Sequence, residues 1–75
     1  MHVRNNKYAR ELAARIRYRM EELGITQADL SDRCDLPLSN ISIYCNGKCI
    51  PKADAVVALA AGLSMTTDDL INFKI

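Results

Sequence analysis

Residues 27–46, QADLSDRCDLPLSNISIYCN, read as two short helices joined by a tight turn, with apolar residues placed where the pair must lock together. Thr26 precedes the first of them and Asp29 follows three residues on, so the hydroxyl can cap orphan amides while the acid favours the positive helix end. That helix covers about Gln27 to Cys34. Asp35 occupies the turn, where a residue often has to take the left-handed conformation that Asp tolerates better than most non-glycine residues. Leu36 plugs the joint. Pro37 has no amide hydrogen to lose at a helix start and pre-sets its backbone angle, so the next helix covers Leu38 to Asn46 and ends at Gly47. Ile41 and Tyr44 are its inward pair.

Outward from this segment the chain continues in helices. Leu12, Ile16, Met20 and Leu23, flanked by Ala9 and Ala13, mark one apolar face of a helix over about Asn6 to Leu23, which Gly24 stops. Pro51 opens another, about Lys52 to Leu63, with Val56, Leu59, Ala60 and Leu63 inward and Ala55, Ala58 and Ala61 outward. So little polar surface suggests a partner on the second face, or simply an alanine-rich exposed helix. Thr66 with Asp69 resembles a capping box before a short helix of about Thr67 to Phe73, anchored by Leu70. No internal repeat, linker or low-complexity segment interrupts the pattern. The expectation is an all-α, compact five-helix domain spanning 1–75.

Length and composition bound the function. A chain of 75 residues buries only about 60% of its unfolded surface, which disfavours a sizeable catalytic pocket. At 49% hydrophobic and 25% charged it suits a small helical globule rather than a disordered chain. Three cysteines, Cys34, Cys45 and Cys49, with one distant His2, give neither a disulfide framework nor a zinc site; they read as free thiols, with a redox sensor as the minor alternative. No paired carboxylate or nucleophile constellation is present, so the chain is not expected to be an enzyme or to need a cofactor. The absence of a long apolar run and of a signal-peptide pattern argues against a membrane and for the cytoplasm.

Net charge is only +1, but it is unevenly spread. Residues 1–20 hold Arg4, Lys7, Arg10, Arg15, Arg17 and Arg19 against Glu11 alone, whereas the remainder holds four basic residues against eight acids. This basic stripe fits phosphate contacts and fits a solvated helix face equally well.

The run Gly24-Ile25-Thr26-Gln27-Ala28-Asp29-Leu30, then Leu36, Ile41, Asn46-Gly47, Pro51, Leu59-Ala60, Leu63 and Thr66-x-Asp68-Asp69-Leu70, resembles the phage repressor and Cro-type helix-turn-helix proteins, the xenobiotic-response-element family. The resemblance covers about residues 8 to 73. It implies five helices, with the second and third forming a DNA-binding unit and the third entering the major groove of double-stranded DNA. Elementary geometry agrees, since an α-helix fits a groove about 12 Å wide and its first turn reaches base edges. The outward candidates for base reading are Leu38, Ser39, Asn40, Ser42 and Ile43. Asn40 can pair with adenine, Ser39 and Ser42 can donate or accept, and Leu38 or Ile43 can meet a thymine methyl, giving an A·T-leaning preference. Leu38, Ser39, Asn40 and Ile43 also match the family's usual base-reading positions. Thr26 and Gln27 at a helix N-terminus are expected to hold phosphates; by family position Asn46, Lys48 and Lys52 do the same.

Two departures stand out. Where many relatives pair a buried Arg with a Glu, this chain has Met20 and Cys45, a coherent replacement of an ion pair by apolar groups. Leu38 and Ile43 stand where relatives often carry Gln, Arg or Lys. The leading function is therefore a transcription regulator, a repressor of bacterial or phage origin. It would bind as a homodimer through the fourth and fifth helices and the Phe73-Lys74-Ile75 end. The alternative is a protein-interaction module, such as an antitoxin or mobile-element regulator, using the same apolar face.

Overall fold

The structure, a computed structural model, describes residues 6–71. Its elements are α1 (Asn6–Leu23), α2 (Gln27–Cys34), α3 (Leu38–Cys45), α4 (Ala53–Gly62) and α5 (Thr67–Ile71), and no strand occurs among the described residues. The expected all-α five-helix domain is what the backbone adopts. Within a turn of the expected ends there are small differences. Asn46 is a half-in cap at φ −95°, ψ 1°, so α3 stops one residue early. Lys52 takes an extended cap conformation at φ −72°, ψ 168°, and Leu63 closes the other end, so α4 is shorter by one residue at each side. Phe73 lies outside the described residues.

The four longer helices all end on a left-handed residue, Gly24, Asp35, Gly47 and Ser64 in turn. At each, the following amide folds back onto a carbonyl five residues earlier: Ile25 to Met20 at 3.1 Å, Leu36 to Ser31 at 3.2 Å, Lys48 to Ile43 at 3.2 Å and Met65 to Ala60 at 2.9 Å. Asp35, at φ 57°, ψ 41°, takes the turn conformation the sequence requires of it.

The core forms where α1 lies on α3 and α5, and α2 lies on α3 and α4. Leu12, Ile16, Leu30, Ile41, Leu59, Leu63 and Leu70 are fully enclosed, and no polar or charged side chain of the described residues is buried with them. Burying each such side chain stabilises the fold by about 1.5–3 kcal/mol before entropy is counted. The expected outer face of α4 needs correcting. Ala55 is buried and Ala58 half-buried, on the side of α4 where Gly62 meets Leu30 and Cys34 of α2; Ala61 is exposed, and Val57 takes the outermost place at 58% exposure.

Candidate nucleic-acid interface

The α2–turn–α3 unit is positioned from both ends. At its start Thr26 Oγ1 accepts the Asp29 amide at 3.1 Å, and the Thr26 amide donates to Asp29 Oδ2 at 3.0 Å, so the capping box is closed. The Thr26 amide first, and its hydroxyl second, hold the Asp29 carboxyl below the ordinary aspartate range. At the joint Ser31 Oγ donates to the Leu36 carbonyl, fixing the turn, while Leu36 packs on the core. Leu30 and Cys34 of α2 and Ile41 and Cys45 of α3 are buried, which locks the second helix against the first.

With Ile41 and Cys45 inward, the 100° step of a helix sends Ser39, Ile43 and Asn46 outward. All three are exposed, Ile43 at 40%. Leu38, 49% exposed, stands at one flank of the first turn. The five expected base readers do not form one uniform face. Ser42 is half-buried and its hydroxyl accepts from Asn46 Nδ2 at 3.4 Å. Asn40 is half-buried on the opposite flank, lining a cavity of about 350 Å³ with Tyr44, Lys52 and Asp54.

Of the expected phosphate contacts, Asn46, Lys48 and Lys52 are exposed beyond α3, and Gln27 is half-buried. Thr26 is committed to the capping box, so an anion there meets the first-turn amides of Gln27 and Ala28, which no intrahelical carbonyl reaches. The charged Asp29 carboxylate shares that helix end and competes for its dipole.

Sequence reading missed the helix-end contacts of three arginines. Arg17 Nη1 donates to the Cys45 carbonyl at the end of α3. Arg19 Nε donates to the Leu63 carbonyl at 2.8 Å and its Nη2 to that of Ser64 at 3.1 Å, while Arg33 Nη1 reaches the Gly62 carbonyl at 2.9 Å. Each cation meets the negative end of a helix, separated from it by 28 to 45 residues. No local spacing signals such partners. The expected Met20–Cys45 replacement is in place: both are buried and their sulfurs lie 3.8 Å apart. Cys34 is buried too, and burial pushes both thiols up, leaving them neutral core groups; Cys49 is exposed, and all three are free.

Residues 11–72 match the family model described as a helix-turn-helix domain. The chain belongs to that family, the DNA-binding helix-turn-helix domains, a class that is typically not enzymatic. No curated protein and no solved structure matched the chain. No described helix is long and apolar enough to cross a membrane.

Proposed function

We propose that this domain is a sequence-specific transcription regulator of the phage repressor and Cro type, acting on double-stranded DNA as a repressor. The observation that carries this reading is the outward side of α3, where Ser39 and Ile43 are exposed on a helix whose other side is locked by Ile41 and Cys45. Eight residues make a helix about 12 Å long, the width of a major groove. In that groove Ser39 and Ser42 meet polar base edges, Leu38 and Ile43 meet thymine methyls, and Asn40 reads adenine from its flank. Gln27, Asn46, Lys48 and Lys52, with the first-turn amides of α2, hold the backbone.

One copy measures 30 Å at its longest, close to the roughly 34 Å between half-sites, so a second copy is needed for a two-fold operator. The homodimer joins through α4, α5 and the C-terminal end. This is supported by exposed Val57 and Ile71, which border with Tyr8 an apolar groove of about 300 Å³. Occluding RNA polymerase is the mechanism.

Selection from random duplexes at about 0.1 M salt tests the proposal. Enrichment of a palindrome, with binding lost in Asn40→Ala or Ser39→Ala, is the expected result. No enrichment, together with capture of a protein that Leu38→Ala and Ile43→Ala release, moves the domain to protein interaction instead.

A further inference from the structure

The helix-turn-helix unit itself carries the wrong charge for its ligand. Residues 27–46 contain Asp29, Asp32 and Asp35 against Arg33 alone, and Arg33 is engaged with the Gly62 carbonyl. A duplex presents one negative charge about every 1.7 Å, so attraction has to come from elsewhere on the same surface. On α1, Lys7, Arg10 and Arg17 share one side with Ala14 between them, and all four are exposed. That side of α1 lies against the chain leaving α3. A Cβ on Gly47 would stand 3.1 Å from Arg10 Cα and 3.2 Å from its Cγ, and Arg17 reaches the Cys45 carbonyl. The Arg10 stem is therefore held against buried Gly47, between exposed Asn46 and Lys48.

We infer that Arg10 is a duplex-backbone contact continuous with Asn46 and Lys48, gripping phosphates where α3 leaves the groove. The inference rests on the major-groove reading of α3 proposed above. With the first turn of a helix of about 12 Å at the base edges, its far end stands at the groove margin, where the sugar-phosphate chain runs. Arg17, Arg19 and Arg33 take no part, since their heads already serve helix-end carbonyls. The basic stripe of α1 is thus divided between phosphate binding and helix capping.

The test is the salt dependence of binding to the selected operator and to a scrambled duplex, between about 50 and 200 mM salt. Arg10→Gln retains the stem that packs on Gly47 while removing the charge. Its slope of log affinity against log salt should fall in magnitude by about 0.9, as for Lys48→Gln. Affinity should fall by one common factor on both duplexes, with Tm unchanged. Arg33→Gln should lower Tm and leave the slope alone. An unchanged slope in Arg10→Gln overturns the inference and leaves the proposed function standing, as does a loss confined to the operator. Parent protein that binds neither duplex in a salt-dependent way overturns both.

Discussion

Residues 24–30, GITQADL, join α1 to α2, and residues 64–70, SMTTDDL, join α4 to α5, on one seven-position plan. The amides of Gly24 and Ser64 each return to a carbonyl three residues back, at 3.1 Å in both cases. Thr26 and Thr66 each cap the next helix by accepting the amide of Asp29 or Asp69, at 3.1 and 3.0 Å. Ile25 and Met65 lean on the core ahead of fully buried Leu30 and Leu70. The recurrence is too short to register as a repeat, and backbone geometry brings it out.

The differences separate a self-sufficient junction from a dependent one. The first places glycine at the left-handed position and closes its capping box through the Thr26 amide. The second places Ser64 there at φ 58°, and Arg19 clamps the Leu63 and Ser64 carbonyls from α1. Two residues ahead of the left-handed position, Glu22 is exposed, whereas Gly62 is buried where α2 passes. The same local code is thus completed once by neighbours in sequence and once by neighbours in space.

The largest loss is expected at Met20, whose carbonyl receives the fold-back bond of Ile25 in the first junction. Met20→Arg puts an unpaired charge beside Cys45 and should cost about 3 kcal/mol or more in urea denaturation. Adding Cys45→Glu should recover much of it, and a double variant no better than the single one rules out the replacement account. Next, Gly62→Ala drives a Cβ to 2.5 Å from Cys34 Sγ and should cost about 1–3 kcal/mol. Cys34→Ala in the same chain should relieve it; equal melts for the single and double variants would remove the clash as the cause.

Arg19→Ala should cost about 1.5 kcal/mol by freeing the helix-end carbonyls, with no counterpart at the first junction. A loss under experimental error would make the second junction as local as the first. Exchanging the left-handed residues is gentler. Gly24→Ser meets no atom within 4 Å, so its cost of about 1 kcal/mol is conformational, while Ser64→Gly should be neutral to slightly stabilising. The smallest effect is acid-dependent. Asp29 has a lowered folded pKa, so its contribution is full at neutral pH and is lost as pH falls through that value, below the ordinary aspartate range near 4. The Tm gap between parent and Asp29→Asn should narrow as pH falls below the ordinary aspartate range. A constant gap would mean the carboxylate charge adds nothing to the cap.

Much of the fold was legible because helix ends are coded locally. Gly24, Thr26 with Asp29, Asp35 and Gly47 announce their roles within three or four residues, which is the reach of a backbone hydrogen-bonded turn. Apolar spacing located Leu12, Ile16 and Met20 for the same reason. The site was legible in part. Leu38, Ser39 and Ile43 are exposed as expected, but periodicity made Asn40 and Ser42 their equals, and the connection from α3 to α4 half-covers Asn40.

By itself the sequence determined five helices, the end signals at Gly24, Thr26 with Asp29, Asp35 and Gly47, and the inward face of the first helix, since these follow from interactions inside one or two turns. Only the tertiary structure decided that Ala55 is enclosed, that Gly62 must remain small beside Cys34, and that the arginines of α1 divide between helix ends and the flank of α3. Those outcomes depend on which surfaces meet after the chain has doubled back, 28 or more residues apart at Gly62 and at the arginines, a separation over which side-chain spacing carries no signal.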